Sequence, residues 1–440
     1  MGAVVAERAS RPSAGRQLER AVLANGLRVL VVPDRTAPVV GIAVFYDVGM
    51  RSEPQGRTGF AHLFEHLMFQ GSEHLPKLDH FRYVQSSGGT FNGSTHLDYT
   101  QYYEVLPANA LERGLFLEAD RMRAPVLSQE NLRLQIDVVK EEIRVNVANK
   151  PYGGFPWLVL PGVLFDTFAN SHDGYGSFAD LQAATVDDAR HFFDRYYAPA
   201  NALLVVCGDT DPDDAVELVE RHFGGITARP TPPRPDFGEP DLTAERRTVH
   251  VDRHAPLPAV AMGWRVPDPV ADWTAYLPFV VLAEVMSDGP AARLERRLIR
   301  GDRIATQQSA FLGLLGNPFD VRDPTALIVQ ARHAPAVPAD AVLAVVDDEF
   351  QRLAQDGFGP GELRRVQTRI TTRILHGTNS VLSQMQTLGA LEQQHGRAEL
   401  LDELPELLST VEEDRVRAAA ATLTPGRRAV VELIPGGARP

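Results

Sequence analysis

Two histidines and a glutamate stand at helical spacing in an otherwise apolar segment, GFAHLFEHLMFQGS at residues 59–72. The apolar residues recur every three or four positions, which predicts a helix. His62 and His66 are four residues apart, so both imidazoles leave one face of that helix and suit a single tetrahedral zinc ion. Glu65 lies between them, where it can accept a proton from a water that the metal makes more acidic. The pattern predicts a hydrolytic metal centre with Glu65 as general base.

The order H-x-x-E-H is the inverse of the commoner H-E-x-x-H signature. Two histidines four residues apart also occur by chance, and a histidine on an apolar helix face is more often a hydrogen-bonded core residue than a ligand. On this motif alone, the metal centre and the core pair are equal alternatives. A catalytic zinc also needs a third protein ligand, which the segment itself does not supply.

The longer stretch GRTGFAHLFEHLMFQGS resembles the active-site helix of the pitrilysin/insulinase family of zinc metallopeptidases, the inverzincins. It is most similar to the branch of mitochondrial processing peptidase and its small bacterial relatives. The resemblance implies a third ligand on a helix of the form V-V-x-E-E, and DVVKEEIR puts Glu142 76 residues after His66. It thus implies one Zn²⁺ per chain, held by His62, His66 and Glu142. Glu141, about 100° round the helix, is expected to face elsewhere.

The resemblance extends over nearly the whole chain and also indicates where a substrate binds. In the family, an extended peptide adds to the edge of a strand beside the zinc. The matching stretch here is TFNGSTHLDY, in which Asn92 falls on a common asparagine and Gly93 replaces the usual alanine. We expect Asn92 and Gly93 to bind substrate, with a turn role as the alternative for Asn92. His96 is expected to be a surface residue rather than a fourth zinc ligand.

One element of the family pattern is missing. Active members carry an arginine and a tyrosine seven residues apart in their second half, in a context similar to S-R-L-F-x-x-L-R-x-x-x-G-L-A-Y. The matching stretch, ARLERRLIRGDRIAT, has Ile299 in the arginine position and Thr306 in the tyrosine position. The resemblance therefore implies a heterodimer, in which a homologous subunit without zinc supplies the pair. A homodimer is the second expectation, if Arg300 or Arg303 substitutes.

The elements that must position these residues form two similar series of strands and helices. Between them lies RPTPPRPDFGEP, whose prolines predict a stiff, extended linker. We predict a flexible N-terminus at 1–20, a zinc-binding half at 21–228, a linker at 229–243 and a homologous half without zinc at 244–440. The expected fold class is α+β, with two homologous α/β-sandwich halves of the metallopeptidase LuxS/processing-peptidase type.

The composition narrows the classes of partner. The 440 residues carry a net charge of −13, which argues against nucleic acid as a partner. The N-terminus lacks the apolar core of a signal peptide, and no apolar run approaches the roughly 18 residues of a membrane span. Cys207 is the only cysteine, so an intrachain disulfide is excluded. We expect a cytoplasmic protein that has neither a nucleic-acid nor a membrane partner.

The motif and the resemblance together predict a zinc metalloendopeptidase. Its substrates would be extended or unstructured peptides, hydrolysed in a closed chamber formed by two subunits. The alternative is an inactive protein of the same fold, similar to core subunits, that binds peptides or has a structural role. A metal-dependent amidase is a third reading, which the strand and helix pattern around the motif disfavours.

Overall fold

The computed structural model describes residues 7–12 and 16–436, with side chains from residue 16 onward. Within these residues, no helix combines the length and the apolar character needed to cross a bilayer. The strands are β1 Glu7–Pro12, β2 Gln17–Val22, β3 Arg28–Pro33, β4 Val39–Tyr46, β5 Thr90–Thr95, β6 Thr100–Pro107, β7 Ala202–Gly208, β8 Arg246–Asp252, β9 Ala259–Val266, β10 Ala305–Leu312, β11 Thr325–His333 and β12 Arg428–Pro435.

The helices surround two sheets. They are α1 Phe60–Leu67, α2 Asp79–Ser86, α3 Leu111–Arg123, α4 Gln129–Ile143, α5 Pro161–Leu164, α6 Phe168–Ser171, α7 Phe178–Ala183, α8 Val186–Tyr196, α9 Pro212–Phe223, α10 Trp273–Ser287, α11 Ala339–Asp356, α12 Glu362–Gly377, α13 Val381–His395, α14 Leu400–Ser409 and α15 Glu413–Thr422. Two π-helical segments, Arg144–Ala148 and Glu295–Gly301, follow α4 and precede β10.

The first sheet has seven strands in the order β1-β2-β3-β7-β4-β6-β5. The β3–β7 pair is parallel, and the other pairs are antiparallel. Every residue of β7, ALLVVCG, is buried, as expected for a strand that is covered on both faces of the sheet. β5 lies at the edge and, among the described residues, pairs with β6 alone.

The second sheet has five strands in the order β10-β11-β9-β12-β8. Here β8 and β12 form the parallel pair, and the other pairs are antiparallel. Its core includes Trp264 of β9, whose ring packs edge-on against Phe350 of α11 at 5.4 Å between centroids. The predicted α+β class, with two halves built on mixed sheets, is confirmed.

Contacts divide the chain into two units that are discontinuous in sequence, unlike the contiguous halves we predicted. The first unit holds 1–140, 174–235 and 375–402, and the second holds 141–173, 236–374 and 403–440.

Close packing explains why segment 375–402 belongs to the first unit and segment 141–173 to the second. α13 lies so near the first sheet that a Cβ on Gly41 of β4 would meet the Met385 sulfur at 2.8 Å. In the second unit, Tyr152 donates its backbone N–H to Asp252 at 2.7 Å, and a Cβ on Gly263 of β9 would lie 3.0 Å from Leu160.

Two local predictions differ from the structure. The part of the predicted flexible segment at 7–12 and 17–20 lies in β1 and β2, whereas residues 1–6 and 13–15 lie outside the described residues. β2 is ordered because it pairs with β3 and buries Leu18. The predicted linker has no helix or strand, but it is partly packed: Phe237 is buried, and its carbonyl accepts from Asn170 Nδ2 at 2.8 Å.

Candidate metal centre

Helix α1 begins at a backbone position that only glycine occupies easily. Gly59 has φ of +80°, and a Cβ there would meet the carbonyl oxygen of Tyr175 at 2.4 Å. The buried carboxylate of Glu53 accepts from the backbone N–H groups of Gly59 and Ala61, each at 2.8 Å. A carboxylate at a helix N-terminus satisfies free N–H groups and interacts favourably with the helix dipole. The start of α1 is therefore fixed to within its first turn.

An aromatic cluster holds the buried face of α1. Leu63, Phe64 and Leu67 are buried, and the Phe64 ring packs against Tyr197 at 4.5 Å and Phe192 at 5.2 Å between centroids. Interiors packed in this way resist rotation of a helix about its axis. The face that carries His62, Glu65 and His66 is consequently kept turned away from the core, and these three side chains are only partly buried.

The structure brings His62, His66 and Glu142 together. One potential ligand atom from each lies within 4.8 Å of the others, and the two imidazoles meet edge-on at 4.9 Å between ring centroids. Glu142 lies in the last turn of α4, a helix whose residues up to Lys140 belong to the first unit. Two imidazoles and one carboxylate are a known donor set for catalytic zinc, which keeps a fourth position open. The residues present fit the ion.

Glu65 is held beside this cluster but does not belong to it. Its Oε2 accepts from the Thr95 hydroxyl at 2.6 Å. A Cβ on Gly93 would lie 3.0 Å from Glu65 Cγ and 3.1 Å from its Oε1, so the strand passes directly over the carboxylate. Both contacts come from β5. That edge strand therefore positions the candidate base.

The two expected substrate-binding residues, Asn92 and Gly93, lie on β5 itself. Asn92 is exposed and sits within the strand rather than in a turn. Its Oδ1 accepts from the backbone N–H of Gly93 at 2.9 Å. The outer edge of β5 pairs with no strand among residues 7–12 and 16–436, so its backbone is available for strand addition.

The neighbouring residues that we assigned no ligand role have other contacts. His96 stacks on Tyr99 at 4.2 Å between centroids, and its Nε2 lies 3.1 Å from the Ser94 hydroxyl. Glu141 is exposed and pairs with Arg144 at 3.0 Å. Neither side chain belongs to the candidate ligand cluster.

The positions aligned with the missing arginine and tyrosine lie in the second unit. Ile299 is in the π-helical segment and packs against the core of that unit. Arg300, in the same segment, lies 3.4 Å from Glu295. Thr306 is exposed on β10, at a bulge between Ala305 and Gln307. Arg303 is exposed and has a left-handed backbone with φ of 55°.

A buried charged cluster behind β5 was missed by sequence reasoning. Arg121 Nε donates to Glu118 Oε2 at 2.9 Å, while Glu104 Oε2 lies 3.6 Å from His80 Nε2. Burial raises the pKa of Glu104 and of Glu118 to about 7. Burial, followed by the Arg121 charge, lowers the pKa of His80 to about 3. The guanidinium also lies over the Tyr102 ring at 4.4 Å.

Sequence reasoning also missed the residues that hold the centre in place, namely Glu53, Thr95 and Tyr175. The Tyr175 ring packs edge-on against His62 at 5.2 Å between centroids. These contacts join segments that are distant in the chain, and no local sequence pattern predicts them. Thr95 alone carried a signal, because it lies in the stretch TFNGSTHLDY that we expected beside the zinc.

Comparison with known proteins finds similarity to a family of peptidases. The family model "Insulinase (Peptidase family M16)" matches residues 28–155, and "Peptidase M16 inactive domain" matches residues 183–370. The zinc protease PqqE of Helicobacter pylori is 28% identical over 361 residues, which are 79% of this chain and 77% of that protein.

Solved structures share the fold. A protease from Helicobacter pylori superposes with a TM-score of 0.87 and 24% identity, covering 96% of this chain and 100% of that one. The periplasmic protease PqqL of Escherichia coli gives a TM-score of 0.80 and 18% identity, covering 97% of this chain but only 48% of PqqL. All three candidate ligands lie within the residues matched by the first family model. The chain belongs to the insulinase family of peptidases, family M16.

Proposed function

We propose that the protein is a zinc endopeptidase that cleaves extended peptides. The observation that carries the proposal is the convergence of His62, His66 and Glu142, beside a glutamate held against a free sheet edge. It is supported by relatives that are named zinc proteases. Bound there, Zn²⁺ would supply Lewis acidity, which polarises a carbonyl group and makes water a better nucleophile.

Glu65 acts as the general base and then as the general acid. Its carboxylate takes a proton from the attacking water, while the water oxygen bonds to the carbonyl carbon of the scissile peptide. The same carboxyl then gives that proton to the departing nitrogen as the C–N bond breaks. Thr95 orients the carboxylate by donating to Oε2.

The substrate backbone adds to the outer edge of β5. Main-chain hydrogen bonds to a strand edge are largely independent of side-chain identity. This edge is short, six residues from Thr90 to Thr95, so it suits a single extended segment rather than a folded protein. Gly93 keeps the strand close to Glu65, which aligns the bound peptide with the base.

The active form is a heterodimer with a homologous subunit that has no zinc site, enclosing the substrate in a chamber. Support comes from Ile299 and Thr306, which stand where the resemblance expects an arginine and a tyrosine. PqqL supports it too, since this chain spans about half of that protein. A homodimer is the second choice. The cytoplasmic location, and the absence of nucleic-acid and membrane partners, remain predictions.

The alternative function is an inactive, peptide-binding or structural protein of the same fold. It is favoured by the name of the family model that matches residues 183–370, an inactive domain. The candidate ligands and Glu65 lie outside that range, in the part that matches the insulinase model. The two functions differ in whether the protein turns over peptide.

The test is peptide cleavage by this chain alone and mixed with a homologous subunit that lacks H-x-x-E-H, with zinc measured in both. We expect zinc in this chain and cleavage only in the mixture. Full cleavage by this chain alone would exclude the heterodimer. Bound zinc without cleavage in either sample would favour the alternative function.

A further inference from the structure

A cavity of about 240 Å³ lies in the second unit, at the start of edge strand β10. Residues 307–309 of β10 and 330–332 of β11 form one side of it, and the segment 150–155 lies across them. Phe155 and Ala259 give it an apolar floor, and both are buried.

The cavity is cationic in a protein whose net charge is −13. Lys150 and Arg332 line it, and its lining contains no aspartate or glutamate. Among the described residues, no carboxylate lies within ion-pair distance of either side chain. Two unpaired cations in an otherwise acidic protein indicate a site for an anionic group.

The Tyr152 ring positions the guanidinium group of Arg332. Its guanidinium carbon lies 3.8 Å from the centre of the Tyr152 ring. The face of an aromatic ring attracts a planar cation at this distance. The tyrosine hydroxyl donates to the Leu257 carbonyl at 2.9 Å and accepts from the Leu257 N–H at 3.1 Å. Tyr152 also has a left-handed backbone, with φ of 58°. Strain of this kind persists where the surroundings enforce it, and it is concentrated at binding sites.

The sheet edge beside the cavity suits a peptide backbone. The outer edge of β10 pairs with no strand among the described residues, and the strand bulges between Ala305 and Gln307. A free edge accepts an added strand.

We propose that this cavity binds the C-terminal carboxylate and the last apolar residue of an extended peptide whose chain adds to β10. Arg332 and Lys150 receive the carboxylate, Phe155 contacts the terminal side chain, and the outer edge of β10 pairs with the peptide backbone. The assignment rests on the proposed function only in taking peptides as the class of ligand. It gives the protein a second peptide-binding edge, selective for free C-termini.

The test is peptide binding to the full chain carrying Glu65→Gln, freed of zinc with a chelator. The probe is a fluorescein-labelled heptapeptide of serine and alanine that ends in leucine, prepared as the free acid and as the C-terminal amide. We expect the acid to bind at least tenfold more tightly than the amide, measured by fluorescence anisotropy. Since neither zinc nor the base is present, this result is independent of whether the protein cleaves peptides.

Variants of the cavity residues test which side chains cause the preference for the free acid. Arg332→Gln is expected to lower the affinity for the acid to that for the amide, Arg332→Lys to retain part of the preference, and Lys150→Gln to cost a few fold. Arg365→Gln, an exposed arginine of α12 outside the cavity, is the matched control and should change nothing. Thermal unfolding of each variant verifies that it is folded.

Three results would overturn the proposal. One is equal binding of the acid and the amide. Another is a preference for the acid that survives in Arg332→Gln. The third is displacement of the peptide by inorganic phosphate at lower concentrations than by acetate, which would indicate a phosphate site.

Discussion

The two sheets of the molecule repeat one topology. Without β1 and β2, the first sheet runs β3-β7-β4-β6-β5 and the second β8-β12-β9-β11-β10. In each, the first and last strands in sequence form the only parallel pair within the described part of the chain. Strands β5 and β10 are therefore topological equivalents, each at a free edge among the described residues.

The chemistry beside these edges differs. The helix after β4 is α1, which carries His62, Glu65 and His66 beside β5. The helix after β9 is α10, WTAYLPFVVLAEVMS, which is buried along most of its length and contains no histidine. Its one acidic residue, Glu284, forms an ion pair with Arg373. The second edge instead carries the cations Lys150 and Arg332. The same topology thus presents the candidate metal centre at one edge and the proposed anion-binding cavity at the other.

The largest effect expected at the β5 edge follows from Glu65→Gln. The amide keeps the shape of the side chain but does not accept the proton of the attacking water. We expect kcat to fall about 10²–10⁴-fold with zinc content unchanged. Loss of zinc from the variant would show instead that Glu65 is a ligand, and cleavage assays with metal analysis distinguish the two outcomes.

Thr95→Val should have a smaller effect on the same group. It removes the hydroxyl that donates to Glu65 Oε2 at 2.6 Å, so the carboxylate is less well oriented. We expect kcat to fall about tenfold, with zinc content and KM little changed. Thr90→Val, an exposed threonine at the far end of β5, is the matched control. Equal effects from both threonines would mean that strand stability, not orientation of Glu65, is responsible.

Gly93→Ala measures how closely β5 must approach the base. The added methyl would lie 3.0 Å from Glu65 Cγ, tighter than ordinary contact, so the carboxylate must shift by a few tenths of an ångström. We expect a loss of a few fold in kcat. Gly225→Ala, where nothing lies within 4 Å of the added Cβ, should leave activity unchanged. Unaltered kcat in Gly93→Ala would show that the edge tolerates displacement.

The first sheet has a buried carboxyl on β6, behind edge strand β5. The equivalent strand of the second sheet, β11, has no carboxyl. Burial raises the pKa of Glu104 from 4.5 to about 7, so the folded state binds this proton more tightly than the unfolded state. The resulting stabilisation is full below about pH 4.5 and is lost as the pH rises through about 7. Glu118, Arg121 and His80 are the charged and titratable groups that face Glu104.

Glu104→Gln should remove this dependence, because an amide does not ionise. Between pH 5 and pH 8, we expect the free energy of unfolding of the variant to rise relative to the wild type by about 1–3 kcal/mol. Denaturant titrations at the two pH values measure the difference. Glu130→Gln, an exposed glutamate of α4, should show no such change. A constant difference for Glu104→Gln would mean that the carboxyl is already ionised at pH 5.

Much of the candidate site follows from local sequence, and the rest does not. The spacing of His62 and His66 requires only a helix, and Glu142 was indicated by the family resemblance, through its distance along the chain from His66. The contacts of Thr95 and Gly93 with Glu65 depend on how β5 docks on α1, which no short pattern encodes. The strand before residue 21 was missed for a related reason, since β2 becomes regular by pairing with β3.

The most direct test of the metal centre compares two adjacent glutamates. Glu142 shares the ligand cluster with His62 and His66, whereas Glu141 is exposed and pairs with Arg144. Zinc should be measured by mass spectrometry in the wild type, Glu142→Gln and Glu141→Gln, together with peptide cleavage. We predict that only Glu142→Gln loses both zinc and activity. Zinc retained in Glu142→Gln, or lost equally from both variants, would contradict the assignment of this centre.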